Sequence, residues 1–139
     1  MNKRIGKLVA VKQRVVDGAA LALSAAEART ALAEKTLETT EATLAAALER
    51  AMQASTVADL VDADAHATSL RKAIERARAV VRSRKEEEAR EMRALTEART
   101  ELRRFEMWGE RALANETASA VRVARAAEDD LAARKRREA

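Results

Sequence analysis

Between residues 9 and 51, small and apolar positions recur at alternating steps of three and four. The series is Val9, Lys12, Val16, Ala19, Leu23, Ala26, Thr30, Ala33, Leu37, Thr40, Leu44, Ala47 and Ala51. This is heptad spacing, the stripe that one helix lays against another. About half of its members are small, which lets two backbones approach closely. A second stripe runs Leu70, Ile74, Ala77, Val81, Arg84, Glu88, Glu91, Leu95, Ala98, Leu102, Phe105 and Gly109. It then slips and resumes as Leu113, Thr117, Ala120, Ala124, Ala127 and Leu131, a stutter of the kind that locally unwinds a supercoil. Between the stripes, Ala54 to Asp64 is the one stretch where a helix is expected to stop.

The pattern predicts an all-α fold, a long antiparallel two-helix coiled-coil hairpin. It forms a single domain over residues 1–139, with helix 1 at about 2–54, a turn region at 55–64 and helix 2 at about 65–137. In the turn region Ser55 is positioned to cap a short turn from Thr56 to Val61, and Asp62 or Asp64 to cap helix 2 with a carboxylate at the positive helix end. A turn centred near Leu60 sets Leu102 near Gly18, Phe105 near Val15 and Val16, and Leu95 near Ala25 and Ala26. Large residues then meet small or branched ones, as an interdigitated core requires. Helix 1 spans about 75 Å at 1.5 Å per residue, and helix 2 is expected to project past the amino terminus from about Glu116.

Composition strengthens the helical reading. The chain has no proline and only three glycines, the two residue types that most often break helices. Roughly a quarter of the residues are alanine, and most of the rest are Glu, Arg, Lys and Leu, all strong helix formers. With no cysteine, disulfides and thiolate metal sites are excluded. The basic start resembles a signal peptide, but Lys12, Arg14 and Asp17 interrupt the apolar run that such a peptide needs. No segment approaches the roughly 20 uncharged apolar residues of a membrane span. The expected setting is the cytoplasm.

Charge adds polarity along the chain. The formal net charge is +4, yet residues 1–16 carry Lys3, Arg4, Lys7, Lys12 and Arg14 without an acid. The break carries Asp59, Asp62 and Asp64 without a base, and the chain closes on Arg134, Lys135, Arg136 and Arg137. A hairpin is expected to bring the two basic termini together. A basic end attracts nucleic acid, anionic membrane or an acidic protein surface. The run from Arg82 to Glu91 interrupts the second stripe. It reads as a solvated helical stretch with ion pairs such as Arg82–Glu86 and Glu86–Arg90, or as a weak point that flexes or binds a partner.

Chemistry is sparse. His66 is the only histidine and has no nucleophile motif near it; it reads as an exposed helical residue. Gly-rich phosphate loops, paired-cysteine zinc spacing and calcium loops are missing. The sequence predicts a non-enzyme with no catalytic, cofactor or metal residues. Leu102, Phe105 and Trp108 share one face and read as local core against Val9, Val15 and Val16, with the Trp108 ring partly buried along the groove. Val11, Leu21, Leu32, Met107 and Val121 lie behind the stripes, and Val57, Leu60 and Val61 lie at the tip. These are the candidate partner surfaces.

The carboxy-terminal third carries a resemblance. Leu102-Arg103-Arg104-Phe105-Glu106-Met107-Trp108, then Glu110-Arg111, then Glu128-Asp129-Asp130-Leu131-Ala132-Ala133-Arg134 resemble the stalk proteins of type III secretion and flagellar export, the FliJ and YscO (SctO) proteins. Their second helix commonly shows a Trp, a charged helix, and a closing acidic pair followed by an apolar residue, Ala and a basic residue. The likeness covers about 35 residues.

The resemblance implies an antiparallel coiled coil similar to part of the central gamma stalk of rotary ATPases. Its paired termini are expected to enter a hexameric secretion ATPase, and its other end to reach the cytoplasmic domain of the export gate; some members also bind secretion chaperones. Lys3, Arg4, Lys7, Arg134, Lys135, Arg136 and Arg137 are then the candidate ATPase end. Val57, Leu60 and Val61 are the candidate tip contacts, and Trp108, Asp129 and Asp130 are family-like positions. Residues 1–101 match the family only in pattern, and the low aromatic content on the tip side departs from an aromatic gate contact. The residues themselves leave two other readings open: a generic cytoplasmic coiled-coil adaptor or prefoldin-like chaperone, and a nucleic-acid or membrane binder using the basic end, with nucleic acid not favoured.

Overall fold

The computed structural model describes residues 3–138. It is all-helical, an antiparallel hairpin of α1, Lys3–Ala51, and α2, Val57–Glu138, packed against each other. The expected start of helix 1 at about residue 2 lies outside the described residues. Alanine-rich sequence without proline sustains helices of 49 and 82 residues. Threonines inside α1 are accommodated by back-bonding. The hydroxyls of Thr30, Thr36, Thr39, Thr40 and Thr43 each donate to the carbonyl four residues earlier.

The connection is shorter than expected. The turn region 55–64 and the helix 2 start at 65 are corrected to a link at residues 52–56. The last turn of α1 tightens, with the amides of Gln53 and Ala54 donating to the carbonyls of Arg50 and Ala51 at 3.1 Å. Thr56, not Ser55, Asp62 or Asp64, starts the next helix. Its hydroxyl accepts the Asp59 amide and its carbonyl accepts the Leu60 amide, both at 3.1 Å, which is the geometry of an N-cap. Residues 57–64 contain no breaker, so once Thr56 satisfies the free amides the helix runs on. Asp59 lies in the first turn, where a carboxylate favours the positive helix end.

The chain divides into two compact units. One comprises Ala19–Leu95. Its core is Leu23, Ala26, Ala47, Ala67, Ile74, Val81 and Leu95, with Thr30 the buried polar member. Ala26 is the most enclosed at 1% exposure, as expected where a small residue admits a facing helix closely. The run from Arg82 to Glu91 is less solvated than expected. Arg84, Glu87, Glu88 and Glu91 are half-buried along the interface. Glu87 pairs with Arg29 across the hairpin at 3.8 Å and with Arg84 at 3.2 Å, and Lys85 pairs with Glu34 at 3.6 Å. The expected Glu86 pairs with Arg82 and Arg90 are replaced by these contacts.

The other unit comprises Met1–Gly18 and Thr96–Ala139. Val16, Ala98 and Leu102 form its apolar core, with Gly109 also buried. Lys12 fixes the register: its Nζ lies 3.7 Å from a Glu101 carboxylate oxygen and 5.3 Å from the centre of the Phe105 ring. Phe105 was expected beside Val15 and Val16; it sits under Lys12, about one helical turn earlier. Val15 is exposed and is not core. From residue 113 to 138 every residue of α2 is exposed. That overhang is about 38 Å long at 1.5 Å per residue.

Candidate partner-binding surfaces

Beside the connection, apolar side chains stand in water. Val57, Leu60 and Val61 are 79%, 56% and 61% exposed, and Met52, which the sequence reading passed over, is 88% exposed. Thr56 is responsible: by starting α2 at Val57 it sets these residues on the first two turns of a helix. Leu48, Ala51, Leu60, Val61, Ala63, Asp64, Ala67 and Arg71 line an open groove of about 390 Å³ between α1 and α2. The signal for Met52 was its position in the link between two heptad stripes, where no facing helix exists to cover it.

In the unit that holds both chain ends, Trp108 meets Phe105 edge to face, with ring centres 5.0 Å apart and planes at 74°. Trp108 is 48% exposed. Of the trio expected as local core, Leu102 is buried, Phe105 is half-buried and Trp108 flanks the interface. The cause is helical rotation. Leu102, Phe105 and Gly109 follow the stripe facing α1, while Trp108 lies one residue off it. Arg103 bridges Glu106 and Glu110 at 3.4 and 3.3 Å, and Arg104 pairs with Glu101 at 3.6 Å. The residues behind the stripes, Val11, Leu21, Leu32, Met107 and Val121, are all exposed, as are Leu8 and Val123, which the reading did not single out.

Lys3, Arg4 and Lys7 are exposed on the first turns of α1, and Arg134, Lys135, Arg136 and Arg137 on the last turns of α2. They do not form one basic end. Lys12 faces Glu101 and Phe105, so Lys3, nine residues earlier, lies beside α2 near residues 110–114. Arg134 is about 30 Å further along the helix at 1.5 Å per residue. The helices are unequal on this side, so the two basic clusters occupy different stretches of α2. Asp129 and Asp130 are exposed on the overhang, one turn before the final basic run.

His66 is exposed. Among the described residues no group of three or more His, Asp or Glu is arranged to hold a metal ion, and no helix is long and apolar enough to cross a membrane. The surfaces offer apolar patches and charge, which suit contact with another macromolecule. Comparison with family models, curated proteins and solved structures finds no match to this chain.

Proposed function

We propose that the chain is the central stalk of a type III protein export apparatus. In this reading the start of α1 and the α2 overhang enter the hexameric export ATPase, and the connection reaches the cytoplasmic domain of the export gate. The observation that carries it is the overhang. One helix of an antiparallel pair continues exposed over residues 113–138, and on it lie the acidic pair, Leu131, Ala132, Ala133 and the basic run that resemble the stalk proteins. A lone helix with a surface of mixed charge fits a ring lumen, where contacts come from several subunits. The exposed connection, with Met52, Val57, Leu60 and Val61, offers apolar area for a second partner. Export chaperones are the candidates for Leu21 and Leu32. The setting is the cytoplasmic face of the apparatus.

The test is binding to, and stimulation of, a hexameric export ATPase encoded beside this chain. Replacing Lys3, Arg4 and Lys7 with Glu, or Asp129 and Asp130 with Lys, should weaken binding at least tenfold while the helical signal and melting hold. Added salt should weaken the wild-type contact. Absence of ring binding together with salt-steep binding to nonspecific DNA would replace this reading with a nucleic-acid binder. Absence of both would leave a coiled-coil adaptor.

A further inference from the structure

In the unit that holds both chain ends, one flank of the helix pair is apolar and open. Leu8, Val11 and Val15 follow one another at steps of three and four on α1, so they share one side of it. They are 43%, 49% and 51% exposed. Lys12 lies against Glu101 and Phe105. Leu8, one turn before Lys12, therefore faces α2 near Trp108, about one turn beyond Phe105. Trp108 is 48% exposed. Leu8 and Val15 on α1 and Trp108 on α2 lie just beside the stripes that the two helices bury against each other, with Val11 next to them. The four side chains line a furrow between two parallel rods. Each is about half covered and none protrudes freely.

We propose that this furrow takes an amphipathic helix of a protein partner, apolar on the face that it buries and acidic on both flanks. This does not depend on the stalk reading. Charge selects the occupant. On the α1 side, Lys7 and Arg14 stand at i−4 and i+3 from Val11. On the α2 side, Arg104 and Arg111 stand at i−4 and i+3 from Trp108. Residues at these spacings are surface neighbours on a helix, and all four cations are exposed. The apolar floor thus has a basic rim on each side. Its acid, Glu101, is already held by Lys12 at 3.7 Å and Arg104 at 3.6 Å. Glu106 and Glu110 pair with Arg103 on the opposite flank of α2. Glu97 shares a row with Arg104 but lies two turns earlier, past the end of the furrow at Val15. A helix with basic flanks would meet like charge on both rims, whereas acidic flanks meet opposite charge on both. Shape selects a helix over a lipid surface. A bilayer takes up side chains that protrude, while a furrow between two helices admits a third at the usual 8–10 Å or so between axes.

Four half-exposed side chains offer a patch of roughly a few hundred Å². A standard stable interface buries about 800 Å² on each partner. The contact is therefore expected to be micromolar and reversible. Attraction between the basic rims and acidic flanks should speed encounter and make binding sensitive to salt.

The test uses the whole chain and a synthetic peptide of three heptads, with Leu at a and d and Glu at e and g. Repulsion among its own glutamates disfavours self-association of the peptide. Titrating it should move the Trp108 emission to the blue, with a dissociation constant in the micromolar range. Raising salt from about 0.05 to about 0.5 M should weaken binding at least tenfold. Arg14→Glu with Arg111→Glu, one change on each rim, should also weaken it at least tenfold while the helical signal holds. Val11→Glu should do the same through the floor. The peptide with Lys in place of Glu should not bind. No ATPase enters the measurement, so its failure and that of the stalk reading are separate. No emission shift up to millimolar peptide overturns the proposal. So does binding indifferent to Arg14→Glu with Arg111→Glu, or a Lys peptide that binds as well as the Glu peptide. A blue shift on phosphatidylserine vesicles, with none from the Glu peptide, would replace the helix by a membrane surface.

Discussion

Replacing Trp108 with alanine tests the terminal unit where its packing is most specific. A fully covered aromatic side chain removes about 150–250 Å² from water. Trp108 is 48% exposed, so roughly 100–130 Å² is covered, equivalent to about 3 kcal/mol at 25 cal/mol per Å². The unfolded chain already covers part of that area, and alanine retains some of it, which leaves about 2 kcal/mol. The edge-to-face contact with Phe105, at 5.0 Å and 74°, adds about 0.5–1 kcal/mol beyond area. Trp108→Ala should therefore cost about 2–3 kcal/mol, a fall in melting temperature of about 6–12 °C for a chain of this size. Because this is the only tryptophan, the same side chain reports its own surroundings. Its emission should lie between that of a buried and a free indole, and acrylamide should quench it partially. A double-mutant cycle with Phe105→Leu isolates the ring contact. Melting lowered by less than about 2 °C, with emission equal to that of free tryptophan, would show that the indole makes no contact that matters to the fold.

Other substitutions probe other parts. Thr56→Ala should remove the N-cap of α2 and cost about 1 kcal/mol by thermal melting, with Thr56→Ser recovering most of it. Ala26→Leu should overpack the closest approach of the two helices and cost about 1–3 kcal/mol in denaturant titration, whereas Ala28→Leu on the exposed side should stay within about 0.5 kcal/mol. Truncation after Ala112 should leave the melting of the remaining hairpin within a few degrees of the full chain, since every residue of 113–138 is exposed. In hydrogen exchange on a dilute sample, amides of residues 113–138 should exchange far faster than those around Ile74, Val81 and Leu95.

Heptad spacing made the hairpin legible because burial here obeys one rule, and every member of the first stripe from Val9 to Ala51 is buried or half-buried. The second stripe holds as far as Gly109, including its charged members Arg84, Glu88 and Glu91. The link was harder to read because two signals competed. Asp59, Asp62 and Asp64 suggest successive caps, but a carboxylate is equally at home inside the first turns of a helix, and no glycine or proline forces a stop before Val57. Only the Thr56 hydroxyl on the Asp59 amide separates the two arrangements. Trp108 is partly covered, as expected, but it flanks the seam instead of joining the local core, because a residue beside the stripe near a slip shares the general direction of its neighbours without facing the partner helix. The basic clusters were misplaced for a related reason. Folding the sequence near its break implies that the ends meet, but helices of 49 and 82 residues leave the longer one alone over its last turns.

That inequality is the feature most in need of a physical account. Isolated helices gain little from propensity alone, because nucleation is costly and most helical stability in proteins comes from packing. The overhang is helical nonetheless, for two reasons in its sequence. Nucleation is already complete where α2 leaves the α1-covered stretch, so each further residue adds only propagation. Residues 113–138 are also rich in alanine and arginine, which propagate well, and contain neither glycine nor proline. An extension of this kind presents Leu113, Val121, Val123 and Leu131 on a largely ordered backbone. A partner that covers them then gains their burial without first having to order the chain. Any partner that takes up this face meets the same preorganised backbone. The small alanines between those four residues limit the apolar area such a contact can bury.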